Sequence, residues 1–253
     1  MSVNKRVVDR VIHFDGAENV RDLGGLPTSS GAKTRFGVIY RGCGLARLTD
    51  ADVENFSRLG VRSIIDLRGD EERESAPDRL PSRRPPEVFR CRITPQGSVE
   101  MMDGVNKKGA DAAAAFELMR SNYARIPFEH SAEFTDIMHF LIEHGRAPHF
   151  VHCSYGKDRT GIVVAFILRA LGVSVTDVVI DFEMTKAEFI APDLFDPAAR
   201  GDAIAAIMAA PADYILASLE AIDSRYGDFS AYLKDALNFG PTEQKALATM
   251  LLE

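Results

Sequence analysis

Apolar residues along the chain recur in two rhythms, and their alternation sets the predicted order of elements. Val61 to Leu67 is a short β-branched run with no helical spacing and predicts a buried strand. Gly37 to Tyr40, Glu87 to Ile93 and Pro148 to His152 predict three more strands. Leu48-Thr49-Asp50 reads as a helix start with Thr49 or Asp50 as N-cap, and Gly60 as its end. The charged, proline-rich segment Arg68 to Pro86 predicts a surface loop. Residues 109–122 and 128–144 carry helical spacing, the second with Phe134, Ile137, Met138, Leu141 and Ile142 on one face and Gly145 at its end. Arg159 to Leu171 predicts a strongly apolar helix capped by Gly172. Beyond Ser174 everything reads as helix, in pieces broken at Pro192, Pro197, Gly201, Pro211, Gly227 and Gly240-Pro241. Strands alternating with helices, followed by a helical tail, predict an α/β sandwich. No composition break marks a second unit, so residues 1–253 are expected to form one domain, with the alanine-rich stretch 187–210 as a peripheral helical insertion.

Composition narrows the classes of function. The 253 residues suffice for a sizeable core without staples. Acidic residues outnumber basic ones by 37 to 30, a formal charge of −7, which gives no general drive toward nucleic acid or an anionic membrane. The longest apolar run, Ile162 to Leu168, falls far short of the roughly 20 residues that span a bilayer. Met1 to Arg10 is charged throughout and leads into no long apolar stretch, so no ordinary secretory signal is expected, although export without one is compatible with the sequence. Cys43, Cys91 and Cys153 lack the spacing of a disulfide framework or a zinc site, which suggests a reducing, cytoplasmic compartment. His13, His130, His139, His144 and His149 show no metal-ligand spacing, and no metal or cofactor is expected.

The chemistry concentrates in His152-Cys153-Ser154-Tyr155-Gly156-Lys157-Asp158-Arg159-Thr160-Gly161, set between a strand and a buried helix. Such a loop presents backbone N–H groups and a helix N-terminus to an anion. Cys153 at its base and Arg159 folding back with a planar fork suit a phosphate monoester. The loop amides, the helix end, Arg159 and Lys157 favour a thiolate at Cys153. Thr160 is expected to donate its hydroxyl to the sulfur, His152 to order the loop through its ring, and Tyr155 to set pocket depth, while Ser154 and Gly156 line the cradle. Read alone, a cysteine beside an apolar strand is a small buried hydrophobe, and Gly156 to Gly161 without a following Lys-Thr is no nucleoside-triphosphate loop. The coincidence of Cys, Gly, Arg and Thr at fixed offsets favours a phosphatase loop.

Cys-x-x-Gly-Lys-Asp-Arg-Thr-Gly resembles the loop of the bacterial tyrosine and lipid phosphatases related to mycobacterial protein tyrosine phosphatase B. Asn19-Val20-Arg21-Asp22-Leu23-Gly24-Gly25 resembles that family's amino-terminal motif, and Val38-Ile39-Tyr40-Arg41 and Ile65-Asp66-Leu67-Arg68 follow in the expected order. The likeness runs from about residue 13 to at least 172. It implies the cysteine-phosphatase fold, a central, mainly parallel sheet flanked by helices. It also implies action on phosphoproteins and, in some members, phosphoinositides. Gly42-Cys43 departs from the serine common after Tyr-Arg, and residues 187–210 fall where the mycobacterial relative carries a helical lid.

Three aspartates qualify as the acid that protonates the leaving group: Asp158 in the loop, Asp66 at a strand end, and Asp70 just beyond it. The family resemblance favours Asp158. Asp66 reads better as an ion-pair partner of Arg21 or Arg68. Lys157 is read either as a solvated loop lysine or as a ligand for a second phosphate on an inositol ring. Arg21 and Asp22 are read as pinning the glycine-rich segment beneath the loop, with substrate contact as the alternative. The remaining tyrosines and phenylalanines read as core. The expected partner is a phosphorylated protein or a phosphoinositide, split through a phosphocysteine intermediate without metal. The rivals are a rhodanese-like sulfurtransferase, an arsenate reductase, and a phosphate-binding module without catalysis.

Overall fold

The computed structural model describes residues 10–94, 96–97, 103–106, 109–185 and 195–253. Among these, β1 (Arg21–Asp22), β2 (Ile39–Gly42), β3 (Ser63–Asp66), β4 (Glu87–Arg90) and β5 (His149–His152) form one sheet in the order β1-β2-β5-β3-β4. β2, β5, β3 and β4 run parallel, and β1 lies antiparallel beside β2. The α/β class and the mainly parallel sheet are as expected. Gly42 and Asp66 both stand beside His152, so three strands end level at one edge with Cys153 in its middle. The carboxyl edge of parallel strands is where open α/β sheets bind ligands.

Side chains alternate across the sheet, so both faces must be covered. Tyr40, Ile64 and Phe150 face Phe56 of α1 (Asp50–Arg58). Ile39, Ile65 and Val151 face a larger core. That core takes residues from α3 (Ala112–Glu129), α4 (Ser131–His144), α5 (Asp158–Ala170), α6 (Val175–Glu183), α7 (Gly201–Met208), α8 (Ala212–Tyr226), α9 (Phe229–Asp235) and α10 (Pro241–Leu251). Thr160 to Leu168 of α5 are all buried, as an all-round apolar helix requires. Thr49 caps α1 in a capping box with Asp52, and Gly60 follows its end at φ 69°.

Two expectations needed correction. Arg68 to Pro86 is not simply a surface loop: it contains α2 (Asp70–Ser75), and Arg68 itself is buried. The Arg68 fork donates to both oxygens of Asp66 at 2.9 Å and to Asp78 at 2.6 Å, which compensates its burial. The helix expected to end at 122 runs through Pro127 to Glu129. Proline supplies no N–H for the carbonyl of Tyr123 one turn back, and Ser218 Oγ donates to that carbonyl instead, at 2.6 Å. Of the stretch 187–210, residues 187–194 lie outside the described residues; α7 packs on α3. Among the described residues no single helix is long and apolar enough to cross a membrane, and the successive apolar helices α7 and α8 are bent by 58°.

One buried cluster holds the loop after β5. Asp181 of α6 accepts from Arg10 at 2.9 Å, Arg21 at 3.2 Å and Arg41 at 2.8 Å, all four side chains being buried. Arg41 also donates to the carbonyl of Gly156 at 2.7 Å. Burial opposes the charge on Asp181, but the three guanidinium groups outweigh it and hold the carboxyl well below its ordinary range. Gly156 is at φ 66°, and a Cβ there would lie 2.2 Å from the Gly42 carbonyl oxygen.

Asp181→Asn is expected to destabilise the fold by about 3–5 kcal/mol in urea denaturation, because the buried arginines lose their counter-charge. The Asp181 contribution is full above its unfolded value of 3.8 and is lost as pH falls below it toward the folded value. The wild-type denaturation midpoint should therefore drop in acid, and the Asn variant should lack that part of the drop. Gly156→Ala should cost about 1–3 kcal/mol for the backbone conformation alone. An unchanged midpoint in that variant would contradict the close approach to β2.

Candidate active site

β5 ends at His152, and the chain turns through Cys153 to Lys157 before α5 begins at Asp158. Among the described residues no side chain caps α5, so its first N–H groups have no side-chain acceptor there, the arrangement that receives an anion. Cys153 is buried and free. Cys43 and Cys91 are also free, and burial pushes their thiols up to about 11 and about 12, which keeps both protonated near neutrality.

Arg159 turns its fork onto Glu72 of α2, with Nη1 to Oε2 and Nη2 to Oε1 both at 2.7 Å. Ser154 Oγ donates to the same carboxylate, as does the N–H of Gly69 at 2.9 Å. Burial raises the Glu72 carboxyl, but these donors outweigh it and hold it at about 2. Burial likewise opposes the charge on Arg159, while the Cys153 sulfur and Glu72 push its value up.

The aspartates separate by environment. Asp66 is buried and bound to Arg68 through both oxygens, and Arg21 goes to Asp181 instead. Asp70 is exposed at the start of α2 and pairs with Arg73. Asp158 is one-third exposed; its Oδ1 accepts from Tyr123 Oη at 2.6 Å and lies 3.2 Å from Lys157 Nζ. Lys157 neither projects nor is solvated. It is buried, and its ammonium donates to the carbonyls of Ile207 and Ala209 at the C-terminal end of α7. A cation there meets the negative end of the helix and its unsatisfied carbonyls.

Around the loop, His152 Nδ1 is 3.1 Å from the Cys153 carbonyl, and Nε2 lies 3.4 Å from Asp78. Asp66, Asp78 and His152 bring their ligand-type atoms within 4.8 Å of one another, but the Arg68 guanidinium already supplies positive charge to both carboxylates. Thr160 Oγ1 is buried without a hydrogen-bond partner among the described residues, so it donates to no sulfur in this state. Tyr155 is half-buried, and Asn19 donates to its carbonyl at 3.1 Å. The amino-terminal motif thus touches the loop through Asn19, while Arg21 acts through Asp181 and Asp22 accepts from Gly24 and Gly37. Sequence reasoning missed Glu72, inside an apparent loop, and Tyr123, read only as core. Neither carried a local signal, and Asp181 was missed as well.

The profile of the tyrosine phosphatase family matches residues 12–253. A protein of Cupriavidus necator assigned as a tyrosine-protein phosphatase is 31% identical over 88% of this chain and 83% of its own length. The triple specificity protein phosphatase PtpB of Mycobacterium tuberculosis is 29% identical over 89% of this chain and 94% of its own. The solved catalytic core of the S. cerevisiae PP-IP phosphatase SIW14 aligns with a TM-score of 0.39 at 17% identity, over 85% of this chain and 96% of that one. With the profile spanning nearly its whole length, the chain belongs to the tyrosine phosphatase family, whose members hydrolyse phosphoric monoesters.

Proposed function

We propose that this protein is a cysteine-dependent protein tyrosine phosphatase of broad specificity, acting from one domain in a reducing cytoplasm. The observation that carries the reading is the placement of buried Cys153 at the sheet's carboxyl edge, followed by an uncapped helix that bears Arg159. In the first step the Cys153 thiolate attacks phosphorus, an S–P bond forms and the P–O bond to the leaving group breaks. Arg159 and the loop amides stabilise the equatorial oxygens, and Asp158 gives the departing oxygen its proton. In the second step Asp158 takes a proton from water, which attacks phosphorus and releases the sulfur. Thr160, with its hydroxyl unpartnered, is available to donate to that sulfur.

Asp158 is favoured as the acid because Asp66 is spent on Arg68 and Asp70 stands exposed on α2. Glu72 fixes the rotamer of Arg159 before substrate arrives. Broad specificity is supported by the likeness to the triple specificity relative. The second-phosphate role of Lys157 loses its support, because the ammonium is engaged by α7. Phosphoinositides therefore rank behind phosphoproteins as substrates.

Phosphate release should be measured on phosphotyrosine peptide, phosphoserine peptide and phosphoinositides, with and without a chelator. Release should resist the chelator and vanish in Cys153→Ser; an active mutant would sink the cysteine mechanism. Glu72→Gln should lower kcat/KM by about 10–100-fold through a misplaced Arg159. With its carboxyl held at about 2 against 4.5 unfolded, Glu72 stabilises the fold above pH 4.5, and this contribution is lost as pH falls through 2. A kcat/KM profile between pH 5 and 8 should show no inflection that Glu72→Gln removes.

A further inference from the structure

Asp158 receives a hydrogen bond that its own loop does not supply. Tyr123 of α3 is buried, and its ring is fixed between Phe182, edge-on at 5.9 Å, and Tyr214, tilted at 5.5 Å. The hydroxyl is thereby held 2.6 Å from Asp158 Oδ1 by the core. Ser218 fastens the same residue from α8 through the Tyr123 carbonyl. Asp158 Oδ2 makes no hydrogen bond among the described residues, whereas Oδ1 faces both the phenol and the Lys157 ammonium.

We propose that Tyr123 is the positioning residue of the general acid: its hydroxyl pins Oδ1, so that Oδ2 carries the proton to and from the reacting oxygen. The inference rests on the assignment of Asp158 made above. A phenol has one hydrogen, and here it points at Oδ1. A proton placed on Oδ1 would have to displace both that hydrogen and the ammonium, so the proton resides on Oδ2. Burial and the charge of Asp158 keep Tyr123 far above its ordinary value, and it remains a donor throughout the working range. The groups that face Asp158 are Lys157 and Arg159 of the loop, Tyr123 of α3 and Tyr214 of α8, while the Cys153 sulfur acts on Tyr123 and Arg159.

The test compares kcat/KM against pH for the full chain with p-nitrophenyl phosphate and with phosphoserine peptide. Loss of a donor to a carboxylate favours its protonated form. Tyr123→Phe should therefore move the alkaline limb to higher pH by on the order of one unit. It should also lower kcat/KM for phosphoserine peptide by about tenfold, with a smaller loss for p-nitrophenyl phosphate, whose phenolate leaves almost unaided. 3-Fluorotyrosine at position 123, a stronger donor that keeps the ring, should move the limb to lower pH, and it decides the matter if Tyr123→Phe does not fold. Asp158→Asn separates the two readings. Should it show no preference between leaving groups, the Asp158 assignment fails and takes this inference with it. If Asp158→Asn shows the preference while the alkaline limb stays fixed in both Tyr123 variants, or Tyr123→Phe costs both substrates equally, Tyr123 is structural only and the inference alone is overturned.

Discussion

A buried carboxylate shared among three arginines governs how this molecule holds its site. Asp181 binds Arg10, Arg21 and Arg41 in a region that solvent does not reach. Charges taken out of water are tolerated only when paired and hydrogen-bonded, so the amino-terminal segment, β2 and α6 must meet at one point. Arg41 extends that junction to the Gly156 carbonyl, and the loop bearing Cys153 inherits its position from it. The close approach of Gly156 to Gly42 leaves no room for a side chain at that point of the loop.

Polar groups on the other side of the loop are arranged in a second, smaller set. Arg68 ties Asp66 to Asp78, and Asp78 stands beside His152 at the start of the loop. α2 then places Glu72 on Arg159 and Ser154. The loop thus has a carboxylate from outside it at each end, Asp78 beside His152 and Glu72 on Arg159, while its middle is tied to α7 by Lys157 and to α3 by Tyr123 through Asp158. Preorganised charge of this kind is what phosphoryl transfer demands, since the reaction is governed by positioning and electrostatics.

Family membership and geometry speak to different questions. The likeness over residues 12–253 establishes membership of the tyrosine phosphatase family. The arrangement of side chains bears on which groups move protons and which only hold others in place. Lys157 shows the difference: its place in the motif suggests a phosphate ligand, yet its ammonium is consumed by the end of a helix.

The sequence by itself determined the elements whose residues are neighbours along the chain. The buried strand near 61–67, the start of α1 at Thr49 or Asp50, the apolar α5 and the offsets between Cys153, Asp158 and Arg159 were all legible there, because local periodicity and loop chemistry depend on adjacent residues. The span of α3 was not, because the carbonyl that Pro127 leaves without an N–H finds its donor in Ser218, 91 positions beyond the proline in the numbering of the chain. Arg68 looked like surface for the same reason: its burial depends on Asp78, across a segment rich in charge. Only the tertiary structure decided that Glu72 holds Arg159, that Lys157 caps α7 and that Tyr123 reaches Asp158. Each of these contacts joins residues far apart in the chain, and their partners are chosen by packing, which leaves no local pattern to read.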